Sequence, residues 1–218
     1  MCIRDSECTP RKSEGAEFII REALREDPRP LYVICGGPLT DIASAYLLNP
    51  RIADKLIVIW SGGGAYPNNA NEFNLHNDLH AVNAMFSSSI EFWQIPSNVY
   101  SLVRVGTAEI ALKVRPCGEI GQYLFDSLIE FNQEKRNVKG WPRGEDWTLG
   151  DSPAVSLILN PNQHTDFYDM IPAPRITQDL KYEKNEKNRP IRVYNFVNGR
   201  VVLEDFFAKI QLAYGSVD

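Results

Sequence analysis

The chain has 218 residues, of which 44% are hydrophobic and 23% charged, and these globular proportions exclude a disordered protein. The formal net charge of −5 argues against a nucleic-acid-binding protein, which normally carries a basic face. No apolar run approaches the roughly 20 residues that span a bilayer, and residues 1–15 lack the apolar segment of a secretory signal. We therefore expect a single-domain cytoplasmic protein.

The cysteines and histidines do not follow a metal-binding pattern. No two of the four cysteines show C-x-x-C spacing, and three histidines cannot complete a zinc site. We expect the cysteines to be free thiols in a reducing cytosol.

Helical and strand-like patterns alternate along the first half of the chain. Apolar residues spaced three and four apart predict helices, and short continuous apolar runs predict strands that are buried on both faces of a sheet. The predicted elements are a helix from Ala16 to Asp27, strand Leu31–Cys35, a helix from Pro38 to Asn49, strand Leu56–Trp60, a loop over Ala65–Asn77, a helix through Leu79, Val82 and Phe86, and strand Ile90–Ile95. This order is typical of an α/β fold with a mostly parallel sheet flanked by helices.

The second half of the chain is less regular. Its predicted elements are a helix over Glu119–Phe131, a polar loop over Asn132–Glu145, a helix over Ser152–Leu159, a strand near Asp166–Ile171, a charged turn over Lys181–Pro190, strand Arg192–Val197, and a closing helix through Leu203, Phe206, Phe207 and Ile210. Internal repeats and interdomain linkers are absent from the sequence, which supports a single domain.

Glycine runs follow the two best-defined strands, at Gly36-Gly37 and at Gly62-Gly63-Gly64. In parallel sheets, ligands bind beyond the carboxyl ends of the strands, and glycine lets backbone approach a ligand closely. The alternative is that these strand-to-helix turns contain glycine only for local geometry. Neither run matches a dinucleotide or P-loop motif, so we expect no dinucleotide or nucleoside triphosphate.

The loop after the second glycine run is rich in amides and carboxylates, which suit a polyhydroxylated ligand. These residues are Asn68, Asn69, Asn71, Glu72, Asn74, Asn77 and Asp78. The alternative is a surface loop whose asparagines serve turn geometry. We expect Phe73 to be buried, so that its polar neighbours face the other way.

Asp151 immediately precedes a predicted helix. It is predicted either to cap that helix or to bind a hard cation such as calcium. A calcium site would require further carboxylates at the same sheet edge, and none is evident in the sequence before Thr40.

Three segments, taken in order and spacing, resemble the inosine-uridine-preferring nucleoside hydrolases. They are Gly36–Ala43 (GGPLTDIA), Gly62–Asn74 (GGGAYPNNANEFN) and Gly150–Val155 (GDSPAV). The similarity extends from about Ala16 to the C-terminus and implies a nucleoside-hydrolase-like α/β fold. It also implies a nucleoside substrate whose N-glycosidic bond is hydrolysed to ribose and free base.

The resemblance assigns roles to particular residues. Thr40 would supply a backbone carbonyl to a calcium ion, and Asp151 would supply a carboxylate. Glu72 and Asn74 match the residues that bind ribose hydroxyls. Asn68 or Asn69 would bind the 5′-hydroxyl, although the loop spacing differs from that of the family.

Two departures from the family pattern stand out. The acidic D-x-D-x-x-x-D-D cluster, which carries most metal ligands and the general-base aspartate, is missing. We therefore expect residues 1–15 to be a non-native or disordered leader and residues 16–218 to be a partial domain without its N-terminal strands. Gly150 replaces a histidine that assists the leaving base, so Trp147 or Trp141 would stack on the base, unless both tryptophans serve ordinary packing.

The resemblance leaves alternatives open. The chain is expected to be inactive alone, because the general base is absent. It would then be either part of a nucleoside hydrolase or a non-catalytic ribose- or sugar-binding module of the same fold. An unrelated α/β enzyme with a chance match is a third possibility. An unpaired sheet edge invites association, so we expect a homo-oligomer.

Overall fold

A computed structural model describes residues 6–135, 137–138, 144–159 and 167–215. Its helices are α1 (Glu14–Ala23), α2 (Thr40–Leu48), α3 (Phe73–Asn77), α4 (Leu79–Ser87), α5 (Ser97–Tyr100), α6 (Thr107–Lys113), α7 (Gly118–Lys135), α8 (Ser152–Leu159) and α9 (Gly199–Tyr214). Its strands are β1 (Leu31–Cys35), β2 (Leu56–Ser61), β3 (Glu91–Ile95), β4 (Arg104–Gly106), β5 (Asp146–Thr148), β6 (Tyr168–Pro172), β7 (Arg175–Ile176), β8 (Tyr182–Glu183) and β9 (Pro190–Tyr194). A short 3-10 turn covers Pro50–Ile52.

The chain divides into two compact units. The first unit comprises the described residues within Met1–Tyr100 and Pro153–Val197, and the second comprises those within Ser101–Ser152 and Asn198–Asp218. In the described part of the chain, no helix is both long enough and apolar enough to cross a membrane.

A five-stranded sheet forms the centre of the first unit, in the order β1-β2-β3-β9-β6. The pairs from β1 to β9 are parallel, and β6 runs antiparallel to β9. In the register, Cys35 lies beside Trp60, and Ser61 lies beside Ile95. The prediction of a mostly parallel sheet flanked by helices is confirmed.

The apolar runs explain the core of the first unit. Every residue of β2 except Ile57 is buried, as expected for a strand covered on both faces. On one face, Val58, Trp60 and Phe92 join a cluster with residues of α1, α2 and α4, including Ile42 and Met85. The apolar stripes of these helices are therefore buried against the sheet, which fixes the positions of the strand ends.

The second unit contains a short antiparallel ribbon of β4 and β5, in which Val105 lies beside Trp147. Helices α7 and α9 pack together in this unit. Lys113 on α6 contacts Glu109 and Glu204, each at 2.9 Å. The hydrogen bonds that Lys113 donates to these two carboxylates, above all to Glu204, raise the pKa of Lys113.

Several element boundaries differ from the sequence predictions. Helix α2 begins at Thr40 rather than at Pro38. The predicted loop over Ala65–Asn77 ends in the short helix α3. The polar segment after Phe131 continues α7 to Lys135, because Gln, Glu and Lys are good helix formers even without an apolar stripe. The short elements α5, β4, α6 and β5 were not predicted, since so few residues show no periodicity.

The first residues of the chain that the structure describes contact the rest of the first unit. Glu7 forms an ion pair with Arg175 at 2.7 Å. Ser13 caps α1 by accepting a hydrogen bond from the Ala16 N–H at 3.0 Å, and its hydroxyl donates to Asp41 Oδ1 at 2.7 Å. These contacts attach the segment before α1 to α2 and β7.

The side chain of Asn83 on α4 forms hydrogen bonds with the backbone of β7, as a neighbouring strand would. Its side chain is 3% exposed, and its Nδ2 donates to the Ile176 carbonyl at 2.9 Å. The Ile176 N–H donates to Asn83 Oδ1 at 2.8 Å. One buried amide thus satisfies both backbone polar groups of a buried residue.

We expect Asn83→Ala to lower the free energy of unfolding by about 2–3 kcal/mol, because both Ile176 groups would be left buried without partners. Chemical denaturation measures the change. Asn71 is exposed and provides the matched control, since Asn71→Ala should change stability by no more than about 0.5 kcal/mol. Equal effects of the two substitutions would contradict this role of Asn83.

Candidate functional site

The carboxyl ends of β1 and β2 lie side by side in the first unit, and Asn74 bridges them. Its Nδ2 donates to the Ser61 carbonyl at 2.9 Å, and it is 3.4 Å from the Gly36 carbonyl. Both N–H groups are thereby directed toward the backbone. The side-chain oxygen of Asn74 accepts no hydrogen bond from any residue that the structure describes, so it is available to a ligand hydroxyl.

Glu72 is buried beside the glycine loop that follows β2, with 8% of its surface exposed. Its Oε2 accepts hydrogen bonds from the Gly63 N–H at 2.9 Å and the Leu75 N–H at 3.1 Å. Its Oε1 accepts from the Tyr100 hydroxyl at 3.0 Å. These three donors fix the carboxylate, and an ionised carboxylate has about four acceptor positions, so one is left for a ligand.

The expectation that Phe73 is buried is wrong, because its side chain is 77% exposed. Glu72 is the N-cap of α3, with extended backbone angles (φ −154°, ψ 155°) that turn its carboxylate inward onto the Leu75 N–H. Phe73 is the first residue of the helix, and its ring lies outside. Glu72 therefore points into the protein and Phe73 points outward, because the N-capping of α3 determines the direction of both side chains.

Thr40 is the first residue of α2, and its hydroxyl donates to Asp78 Oδ2 at 2.6 Å. Asp78 in turn caps α4, since its Oδ1 accepts from the Ala81 N–H at 3.0 Å. This pair ties the starts of two helices together within the first unit. The Thr40 side chain thus has a structural role beside the proposed role of its carbonyl.

Asn68 and Asn69 lie in an exposed turn. Their N–H groups donate to the Ala65 carbonyl at 2.9 and 3.1 Å. The Asn69 side-chain oxygen accepts from the Asn71 N–H at 3.0 Å. These bonds show the turn-forming role that we considered as the alternative to ligand binding.

Asp151 and Trp147 belong to the second unit. Asp151 is exposed and directly precedes α8, as predicted. The Trp147 ring packs edge-on against Phe131, with 6.2 Å between the ring centroids. Trp141 lies outside the described residues.

Two further groups at the strand ends were not found from the sequence. Tyr100, on α5, donates to Glu72, but nothing in the segment around it marks it as part of a site. Ser61 ends β2 and is 1% exposed, and its hydroxyl has no partner among the described residues. A buried hydroxyl without a hydrogen-bond partner costs free energy. Ser61 is therefore a further group at this edge that can still form a hydrogen bond.

The residues that the structure describes do not complete a calcium site. Calcium takes six to eight oxygen ligands, as a rule including several carboxylates. In the ranges that the structure describes, no three His, Cys, Asp or Glu residues lie together as a potential metal site. Within the first unit the Thr40 carbonyl would supply one oxygen, so further ligands are required.

Comparison with known proteins identifies the family of this chain. The family profile described as inosine-uridine preferring nucleoside hydrolase matches residues 3–205. The chain belongs to this family. It is 31% identical over 157 residues to the inosine-uridine preferring nucleoside hydrolase of Leishmania major, covering 69% of this chain and 48% of that protein. It is 28% identical over 136 residues to the pyrimidine-specific ribonucleoside hydrolase RihA of Salmonella arizonae, covering 61% and 43%.

Solved structures of family members share the fold. The purine-preferring ribonucleoside hydrolase from Gardnerella vaginalis superposes with a TM-score of 0.76 and 20% identity, covering 95% of this chain and 69% of that one. The plant nucleoside hydrolase PpNRh1 gives a TM-score of 0.75 and 19% identity, covering 93% and 69%. The chain spans about half the length of the curated relatives that it matches.

Proposed function

We propose that this chain is the ribose-binding part of a nucleoside N-ribohydrolase. The reaction adds water across the N-glycosidic bond of a ribonucleoside and gives ribose and a free base. One observation carries the proposal: in a member of this family, Glu72 and Asn74 each keep an unused acceptor at the carboxyl edge of the sheet.

The chemistry of these two side chains suits adjacent ribose hydroxyls. Each hydroxyl can donate one hydrogen bond, and the Glu72 carboxylate and the Asn74 amide oxygen can accept one each. Both side chains are already fixed by bonds to the backbone, so little conformational entropy is lost when ribose binds. We propose that Asn68 or Asn69 binds the 5′-hydroxyl and that Trp147 stacks on the base, since Gly150 offers no side chain to assist its departure.

We propose calcium as the metal, with the Thr40 carbonyl and the Asp151 carboxylate among its ligands. A bound calcium ion would polarise water and the ribose hydroxyls. The remaining ligands and the general base would be further carboxylates that do not cluster among the described residues. The free thiols of the described cysteines suit a cytosolic protein. The apolar β1 at the sheet edge favours a homo-oligomer.

A second candidate function is a non-catalytic ribose- or sugar-binding module. The observation that favours it is the retention of Glu72 and Asn74 where no cluster of carboxylates accompanies them in the described part of the chain. The two candidates share the ribose site and differ only in the presence of a general base.

Hydrolysis assays distinguish the two candidates. We expect the purified 218-residue chain, with calcium and inosine or uridine, to release no measurable free base, because its described residues hold no carboxylate cluster that could supply a metal-bound general base. If the upstream reading frame encodes an aspartate cluster after a short apolar strand, the longer product should release base in a calcium-dependent manner. Base release by the 218-residue chain would contradict the expectation that it is inactive alone. An upstream sequence without such a cluster would contradict the hydrolase proposal.

A further inference from the structure

The glycine loop Gly62–Gly64 has all three of its carbonyl groups bound by the surrounding protein. The Gly62 carbonyl accepts from Gln94 Nε2 at 3.0 Å, and the Gly63 carbonyl accepts from the Ser97 N–H at 2.9 Å. The Gly64 carbonyl accepts from the Tyr182 hydroxyl at 2.9 Å. The orientation of each peptide group in the loop is therefore set by a specific donor.

The peptide between Gly62 and Gly63 links this network to Glu72. Its carbonyl side binds Gln94, and its N–H side donates to Glu72 Oε2 at 2.9 Å. A trans peptide is planar, with its C=O and N–H pointing in opposite directions, so holding one side directs the other. Gln94 thereby aims the Gly63 N–H at the carboxylate.

Tyr182 completes the network from a distant part of the chain. Gln94 Nε2 lies 3.2 Å from the Tyr182 oxygen, 88 residues away in sequence, and the same hydroxyl donates to Gly64. The Tyr182 ring packs edge-on against Tyr66, with 5.1 Å between centroids. Burial raises the pKa of the Tyr182 phenol above its usual value, so the hydroxyl keeps its proton and stays a donor.

The loop leaves no space for a side chain at Gly63. Gly63 has a φ of +78°, and a Cβ there would lie 2.3 Å from Gln94 Nε2 and 2.8 Å from the Tyr182 oxygen. Gln94 is 0% exposed, and its Oε1 has no partner among the residues that the structure describes. Leaving the buried Oε1 without a partner costs free energy. This cost indicates that the two hydrogen bonds donated by Gln94 Nε2 contribute more to the structure.

We propose that Tyr182 and Gln94 are positioning residues for Glu72, acting through the glycine loop. The inference rests on the proposed ribose-binding function. Removal of the Tyr182 hydroxyl frees Gln94 and the Gly64 carbonyl, the Gly63 N–H loses its direction, and Glu72 no longer presents its remaining acceptor to the ribose.

The test uses Tyr182→Phe in the full 218-residue chain, with Tyr194→Phe as the matched control. Tyr194 is also buried, and its hydroxyl bonds to Arg192 instead of the glycine loop. Calorimetry with uridine should show binding about 5- to 10-fold weaker for Tyr182→Phe and unchanged for Tyr194→Phe, as expected for the loss of about one hydrogen bond. In a Glu72→Gln background, Tyr182→Phe should add almost no further loss.

Amide hydrogen exchange of Gly63 provides a readout that needs no ligand. We expect faster exchange at Gly63 in Tyr182→Phe than in the parent chain or in Tyr194→Phe. Unchanged Gly63 exchange, or equal uridine affinity in the two Phe variants, overturns the positioning role even if Glu72→Gln abolishes binding. Absence of uridine binding by the parent chain overturns the proposed function itself. The two failures are distinguishable, because the first is seen in the variants and the second in the parent chain.

Discussion

In the Glu72→Gln variant, we expect the dissociation constant for inosine or uridine to rise about 10- to 100-fold, the effect of losing one hydrogen bond to a charged acceptor. The amide oxygen can replace Oε2 and keep the bonds from Gly63 and Leu75. The amide nitrogen then faces Tyr100 and donates to its hydroxyl oxygen. A ribose hydroxyl that needs an acceptor at this position meets a donor, so binding weakens while the fold is kept. Isothermal titration calorimetry measures the change.

The control for this prediction is Glu17→Gln, which removes one charge from an exposed position on α1. It should leave both the affinity and the melting temperature unchanged. If Glu72→Gln binds ribosides as tightly as the parent chain, then Glu72 does not contact the ribose.

A second large effect is expected for Gly64→Ala, which should lower the free energy of unfolding by about 2–4 kcal/mol. A Cβ at this position would lie 2.0 Å from the backbone carbonyl oxygen of Asn69. Backbone cannot rotate aside as a flexible side chain does, so the turn through Asn69 must move. Its hydrogen bond from the Gly64 N–H to the Ala70 carbonyl, 3.1 Å long, would be lost or weakened.

Gly37→Ala is the matched control, because a Cβ there would meet nothing within 4 Å. It should change stability by no more than about 0.5 kcal/mol in either direction. Urea denaturation of both variants gives the comparison. Similar stabilities of the two variants would show that the loop after β2 tolerates a side chain and is not tightly packed.

The sequence was sufficient to predict the strands that build the site. Leu31–Cys35 and Leu56–Trp60 are continuous apolar runs, the first between Pro30 and Gly36 and the second followed by Ser61 and a glycine run. Such runs have few alternatives to a buried strand. Because neighbouring parallel strands end at one edge, the position of Glu72 and Asn74 near that edge followed from the motif after the second glycine run. Apolar runs and the order of elements along the chain were therefore enough to predict these strands and the edge at which the site lies.

The contacts that hold Glu72 were not predictable in the same way. Tyr182 lies in a charged segment that predicts only a solvated turn, yet its hydroxyl bonds to Gly64, 118 residues away in sequence. Neither composition nor periodicity encodes such a distant partner. Phe73 was predicted wrongly for a related reason, since the choice between burying Phe73 or Glu72 depends on the capping of a five-residue helix.

We infer that the carboxyl edge of this sheet binds ribose through its hydroxyls. The most direct test is calorimetry of the parent chain with uridine and with 2′,3′-dideoxyuridine, in the presence of calcium. We predict that uridine binds at millimolar concentration or better, and that the dideoxy analogue binds at least about 10-fold more weakly. Equal affinities, or no heat from uridine at millimolar concentration, would contradict the claim.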